Sequence, residues 1–572
     1  MTTRADASAT SATPPPPAPP GPRVTVRPIA GGTRWTGLIG VGLQARLLRR
    51  VRLLSDTRAW TQRTAWIQRA QLRKLLRHAA GTEFGRSHNF ARLASLPDRE
   101  IVAAYRREVP LADYYAFRTM IARMREEGEP NVLWPGLVRD FAQTSGTTAG
   151  DKYIPVSQEM MRSNYRAALD IFANAIRFGV SLPRLLSGRA LFLGGSTDLT
   201  VNEHGIRTGD LSGLVTPMIR WPITRIYSPG RKIALMSHWP SKIEAMAHAC
   251  IDQDIRMING MPSWALVLME KVMEVARERG RDVSCIRDVW PNLEIFVHGG
   301  VKYAPFDQRI RRVYSGTDAD IPTRLELYPA SEGFIAIQDR RGDPGLRLLT
   351  DIGNFYEFVP LEQIDDPAAP AYTCEAVEKG QRYVVVMTTC AGLWRYIIGD
   401  VVEFDTVPAD LDGKGGEGPC RLRIVGRHRH FINAFGENLI VEHIENAAAA
   451  AARQSGLTIG EFTAAPVYPG ENRRAGLELA VEIADAGVSQ DRLAAFAAAF
   501  DAALKQQNVD YTTKRTDDLG MAPPTVTPLP LGTFHRWLES RGKLGGQHKC
   551  PRCANHREII EAVIAAARGQ HA

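Results

Sequence analysis

Cysteine is scarce in this chain. Seven residues in 572, an odd number without dense spacing, exclude a disulfide-stapled secreted scaffold and suit a reducing compartment. Long apolar runs are missing too. The stretch from Trp35 to Leu43 is too short to span a bilayer, and what precedes it lacks a signal-peptide layout. A cytoplasmic protein without structural disulfides is expected. No basic stripe interleaved with aromatics occurs, so nucleic acid is not an expected partner. The formal charge of +9, from 71 basic against 62 acidic side chains, is modest for the length. Much of it lies where Arg46, Arg49, Arg50, Arg52 and Arg58 interleave with Leu43, Leu47, Leu48, Val51 and Leu54. Such a segment has the composition of a membrane-surface helix, but an amphipathic helix packing on its own domain accounts for it, and membrane contact is not expected.

The length exceeds what one hydrophobic core supports, so more than one domain is expected. Residues 1–32 are rich in Ala, Ser, Thr and Pro and read as a disordered tail. From about 35 to 128 the apolar spacing is helical, as in Ala65-Trp66-Ile67 and Leu72, Leu75 and Leu76, with a loop around Gly81 to Gly85. Short β-rich runs (Ala190 to Leu193, Leu293 to Val297, Leu325 to Tyr328, Tyr383 to Met387) then alternate with helical stretches such as Trp264 to Arg279. A strand-like Leu477 to Ile483, an alanine-rich helix over Gln490 to Gln506 and a helix near Thr533 to Arg541 form a second unit. The expected fold is α/β, with a large domain over 33–427, of layered sheets and helices, and a small mobile C-terminal α/β domain over 428–572.

The most informative segment is Thr144-Ser145-Gly146-Thr147-Thr148-Ala149-Gly150-Asp151-Lys152. Its glycines let backbone N–H groups approach phosphate oxygens, while hydroxyls and a cation add charge-assisted donors. It is not a P-loop: Gly150 is followed by Asp151, and Lys152 by Tyr153, where that motif needs Lys directly after glycine and then Ser or Thr. Three further segments carry chemistry. In Leu327-Tyr328-Pro329-Ala330-Ser331-Glu332-Gly333 the aromatic suits a purine and the carboxylate suits the Mg²⁺ that bridges nucleotide phosphates. Gly399-Asp400, before the run Val401 to Phe404, reads as a glycine turn whose carboxylate can accept both hydroxyls of a ribose. Val425-Gly426-Arg427-His428 lies at the proposed boundary.

The order of these four segments resembles the adenylate-forming superfamily that contains acyl-CoA synthetases and firefly luciferase. The flanks resemble one branch of it, the auxin-responsive acyl-acid amido synthetase family, in a bacterial-type form. They are "EVPLADYYAF…GEPNVLWPG", "VHGGVKYAPF" at 297–306, "AGLWRYIIGDVVEF" at 391–404 and "DYTTKRTDDLG…GQHKCPRC" at 510–553, so the likeness covers about residues 70 to 565. The resemblance implies a ligase that activates a carboxylic acid with ATP to an acyl-adenylate and passes the acyl group to an amine, usually of an amino acid. It implies that Thr144, Ser145, Gly146, Thr147 and Thr148 hold phosphates, that Tyr328 packs on adenine beside Ser331, and that Glu332 ligates Mg²⁺. Asp400 then binds ribose, Arg427 contacts the nucleotide near the hinge, and Gly299, Gly300, Val301 and Tyr303 line the adenine or acyl pocket. Lys549 becomes the mobile lysine of the C-terminal domain, acting in the closed state.

Some positions depart from the pattern. One residue separates Gly150 from Lys152 where many relatives have two, so the role of Lys152 stays open. His428, Arg429 and His430 replace acidic hinge residues of the wider superfamily, and Asn433 replaces a lysine. His548, Cys550, Cys553 and His556 also have zinc-ligand types at plausible intervals. Two other functions stay open: an adenylate former that hands the acyl group to coenzyme A or a carrier thiol, and a nucleotide-binding scaffold without turnover.

Overall fold

The computed structural model describes residues 35–144, 152–194, 199–215, 223–236, 239–300, 303–366, 368–428, 431–432, 439–467, 476–508, 511–512, 515, 521–542, 549–554 and 556–569. An eleven-stranded sheet organises the large unit. Five of its strands run parallel: Tyr227–Ser228, Arg189–Phe192, Ile255–Gly260, Ile295–Gly299 and Thr323–Ala330. From Thr323–Ala330 onward the pairing turns antiparallel through Gly333–Gln338, Leu346–Leu348, Arg421–Arg427, Tyr396–Thr406, Tyr383–Thr388 and Phe355–Pro360.

The parallel strands are apolar on both faces because helices cover both. Val297, Leu325 and Leu327 pack on one side with Leu47 of helix α1 (Thr36–Ser55) and with Ala167 and Ile171 of the helix Gln158–Arg177. Phe296 packs on the other side with Leu268 and Val272 of the helix Pro262–Glu278. The helical lead-in forms as expected, with Leu72, Leu75 and Leu76 of helix α2 (Thr57–Ala79) buried in one core with Trp134, Phe355 and Trp394. Two details differ from the sequence reading. Trp66 is 42% exposed, Trp60 being the inward aromatic. Residues Glu83–Ser87 are a short helix capped by Thr82, whose hydroxyl accepts from the Gly85 amide, so the expected loop is only a tight entry.

The C-terminal unit is a three-stranded sheet, Ile459–Val467, Gly476–Ile483 and Thr525–Pro530, with helices on both faces. Val441–Ser455 and Gln490–Gln507 share a core with Phe462 and Leu479. Thr533–Ser540 and Glu558–Ala567 cover the opposite side around Ala465 and Ala480. All seven cysteines are free and buried. Cys550 lies in one of these cores and Cys553 in the other, so the two thiols face opposite sides of the sheet, and no metal-ligating cluster occurs among the described residues.

Candidate active site

The parallel half of the sheet meets the antiparallel half beside a cleft of about 1970 Å³, which also takes walls from the C-terminal unit. It opens past the carboxyl ends of Ile295–Gly299 and Thr323–Ala330, where ligands of open α/β sheets usually bind. The two strands pair with His298 opposite Glu326 and Gly299 opposite Leu327. A Cβ at Gly299 would lie 2.4 Å from the Leu327 carbonyl oxygen, so only glycine allows this approach, and Gly300 leaves the strand at φ +79°. Gly300, Tyr303, Tyr328, Ser331, Glu332, Asp400, Lys152 and Lys549 all line this one cleft.

Tyr328 is buried, and its hydroxyl donates to Asp400 Oδ2 at 2.6 Å. Gly399-Asp400 does not form a turn between elements. The strand begins earlier, at Tyr396, and runs to Thr406; Gly399 has φ +92° inside it, with a register irregularity at Val401 and Val402. Asp400 sits opposite Arg427 in that ladder. The sequence signal for a turn was the glycine, which here supplies a bulged strand instead.

Tyr396, which motif reasoning passed over, lies behind the cleft against Glu332. Its buried phenol is held protonated well above the usual tyrosine range, first by burial and then by the charge of Glu332, to which it hydrogen-bonds. No local signal marks it, since the bulge at Gly399 breaks the alternation that would otherwise relate Tyr396, Ile398 and Asp400. The preceding Arg395 holds that segment in place. It sits at φ +47°, with Nε 2.9 Å from Glu357 Oε2 and Nη1 2.8 Å from the Val109 carbonyl oxygen, all in buried surroundings. Replacing Tyr396 by Phe removes the donor to Glu332 and keeps the ring. Acid-dependent pyrophosphate exchange at limiting Mg²⁺ is expected to fall about threefold to tenfold with little change in melting temperature. Equal exchange by mutant and parent across an Mg²⁺ titration would remove Tyr396 from the site.

His298 and Tyr303 add a neutral polar corner. Their ring centroids are 4.6 Å apart, and His298 Nδ1 and Tyr303 Oη are buried without a hydrogen-bond partner among the described residues. Burial, reinforced by the charge of Arg324, pulls the His298 pKa down to about 3, so the imidazole is neutral at physiological pH. Burial also raises the Tyr303 phenol. Both groups therefore suit a neutral hydrogen-bonding edge of a ligand.

Lys152 ends the hairpin that carries the hydroxyl and glycine loop, paired with Thr144 across antiparallel strands, and its ammonium lies 5.8 Å from the Tyr114 ring centroid. Ser145, Gly146, Thr147, Thr148 and Val301 lie outside the described residues, as do the side chains of Thr144 and Arg427.

Lys549 comes from the C-terminal unit and donates from Nζ to the Gly300 carbonyl oxygen across the cleft. Its segment is no solvated loop. Residues 551–554 add to the edge of the strand Ile459–Val467: Thr463 Oγ1 donates to the Pro551 carbonyl at 2.6 Å, the Ala464 amide to Arg552 O at 2.9 Å, and the Ala554 amide to Ala464 O at 3.0 Å. The Arg552 guanidinium pairs with Glu461 at 2.5 Å, so the lysine is held on a fixed edge.

Comparison with known proteins follows the same outline. The GH3 family N-terminal domain matches residues 53–221 and 196–319, its central domain 347–410 and its C-terminal domain 442–558. The chain is 22% identical over 585 residues to a probable indole-3-acetic acid-amido synthetase, GH3.1, of Arabidopsis thaliana, covering 88% of this chain and 91% of that protein. It is 27% identical over 313 residues to indole-3-acetic acid-amido synthetase GH3.8 of Oryza sativa subsp. indica, covering 51% of this chain and 49% of that one. Among solved structures, AtGH3.15 acyl acid amido synthetase in complex with 2,4-DB superposes with a TM-score of 0.71 at 16% identity, over 92% of this chain and 96% of that one. A 2-hydroxyisobutyryl-CoA ligase in the postadenylation state with 2-HIB-AMP gives 0.51 at 16% identity, over 88% and 91%. With family domains matched in order along most of its length, the chain belongs to the GH3 family.

Proposed function

We propose that this protein is an AMP-forming ligase that joins a carboxylic acid to an amine, the amine being that of an amino acid. The observation that carries the reading is Lys549: a cation fixed on the C-terminal unit reaches the glycine turn of the large unit, in the cleft that also holds Tyr328, Asp400 and Glu332. The names of the relatives, amido synthetases of indole-3-acetic acid, support the same chemistry. We place the division between the units at residues 427–428, and assign the protein to the cytosol, in keeping with its free thiols and the absence, among the described residues, of a helix long and apolar enough to cross a membrane.

In the first step a substrate carboxylate oxygen attacks the α-phosphorus of ATP. A new C–O–P linkage forms, and the bond to the β-phosphate oxygen breaks to release pyrophosphate. Negative charge grows on the phosphoryl oxygens, where Lys549 and Lys152 offer cations and the loop 144–148 its hydroxyl and amide donors. Asp400, held by the Tyr328 hydroxyl, keeps its second oxygen for the ribose hydroxyls. Glu332, with the Tyr396 phenol against it, is an oxygen donor of the kind Mg²⁺ prefers, and the ion, when bound, neutralises phosphate charge. In the second step the amine attacks the acyl carbon, AMP leaves, and the amine loses a proton as the amide forms. The neutral corner at His298 and Tyr303 serves the adenine or the acyl group.

Labelled pyrophosphate is expected to enter ATP only when a suitable acid is supplied. Mass spectrometry of products from panels of acids with amino acids or thiols then identifies the acceptor. Release of ADP and orthophosphate in place of AMP and pyrophosphate would overturn the first step. Thioesters without amides would move the protein to the acyl-CoA or carrier ligases, and ATP binding without turnover of any acid would leave a scaffold.

A further inference from the structure

Helix α1 is docked tightly on one side and exposed on the other. On the inner side, Gly40 lies against the backbone of Leu182 and Pro183, where a Cβ would come within 2.5 Å of the Leu182 carbonyl oxygen, and Leu47 and Leu54 are buried. Arg50 clamps that side, with Nε 2.7 Å from Asp170 Oδ1 and Nη1 2.6 Å from Asp351 Oδ2. The outer side carries Leu38, Val41 and Leu48, which are 74, 53 and 44% exposed, and Trp35, 47% exposed, stands at its start. These positions are spaced by three, three and seven residues, so they form one strip along the helix.

Charge follows the same strip. Arg46, Arg49 and Arg52 are exposed on it, none forms an ion pair with a described residue, and the helix contains no acidic side chain. Residues 36–82 hold ten Lys and Arg side chains against one carboxylate, Asp56, so this segment alone has an excess equal to the +9 of the whole chain. Asp56 is engaged as the N-cap of α2, accepting from the Ala59 amide at 2.9 Å.

We propose that the outer face of α1 seats the protein on an anionic phospholipid surface, independently of the ligase reading. The inner face already supplies the packing that an ordinary amphipathic helix needs, and among the described residues the second apolar strip packs in no core. Leucine and valine side chains suit the boundary of the acyl region, tryptophan the headgroup level, and arginine stems lie along apolar surface while their guanidinium groups reach phosphate. Charge complementarity selects the partner: a second copy would bring arginine against arginine, whereas an anionic leaflet attracts all three.

Vesicle co-sedimentation of the full-length chain tests this, using phosphatidylglycerol mixed with phosphatidylcholine against phosphatidylcholine alone. Binding to the mixed vesicles, weakened by added salt, is expected. The triple change R46Q, R49Q and R52Q should weaken it on the order of a hundredfold, since each arginine near such a surface contributes roughly fivefold. The change L38D with V41D should abolish it, and both variants should keep the melting temperature and pyrophosphate exchange of the parent. No pelleting with anionic vesicles, equal pelleting with neutral ones, or unchanged pelleting by the triple variant would each overturn the proposal. So would concentration-dependent dimerisation that L38D with V41D abolishes in the absence of vesicle binding, which would assign the face to a second copy.

Discussion

Replacing Lys549 by alanine is expected to lower acyl-adenylate formation by about a hundredfold to a thousandfold while leaving ATP binding close to that of the parent. The magnitude is that of removing one preorganised electrostatic stabiliser from a transition state, about 2.7–4 kcal/mol. ATP affinity is spared because Tyr328, Asp400 and the Gly299-Gly300 turn belong to the large unit and do not depend on the lysine. Lys549 itself spans the gap only when the two units meet, as its bond to the Gly300 carbonyl records. Charge on the α-phosphoryl oxygens is greatest as pyrophosphate departs, so a cation at this point stabilises the transition state more than the bound substrate. Supplying a preformed acyl-adenylate separates the steps: amide formation from it should fall much less than the complete reaction. Equal losses in both reactions would show that the lysine is not specific to the first step, and loss in neither would return it to a purely structural contact.

Glu332→Gln should cut pyrophosphate exchange by on the order of a hundredfold at limiting Mg²⁺ and leave the melting temperature nearly unchanged. The amide has almost the shape of the carboxylate and can still accept from the Tyr396 phenol, so the packing survives. It lacks the negative charge that draws a hard divalent cation and offers one good oxygen donor in place of two. Raising Mg²⁺ should restore part of the rate, because weaker affinity is compensated by mass action until the site fills. Unchanged turnover across an Mg²⁺ titration would end the assignment of Glu332 to the ion.

Local patterns made much of the fold legible. Apolar spacing located the helices Gln490–Gln507 and Pro262–Glu278 to within a residue or two because one face of each is buried. Alternation located Gly476–Ile483, although the strand is buried on both faces, because large Leu, Val and Ile side chains on one side alternate with smaller or polar ones on the other. The candidate site was legible where it is written as contiguous motifs, in that Tyr328, Glu332, Asp400 and Lys549 line one cleft. Contacts between distant segments were not. Nothing near Tyr396 announces that it lies against Glu332, nor does anything near His298 announce the missing partner of its Nδ1, since both follow from how segments distant in sequence pack together. Gly399 misled for a physical reason: a positive φ serves a bulge as well as a turn, and sequence alone does not separate them. Nor does the sequence around Lys549 announce that Arg552 and the backbone bonds of residues 551–554 tie the segment that follows to the C-terminal sheet.

On the proposed reading, that tie bears on the speed of the enzyme. A lysine on a free loop samples its target at the pace of loop diffusion, but the segment after this one is fastened to an edge strand, so on the proposed reading it travels only with the C-terminal unit. Solvent friction acts on the whole moving body. Where closure or reopening limits turnover, glycerol or sucrose should slow the rate in proportion to viscosity, while the exchange of a small acid in the open cleft should hardly notice.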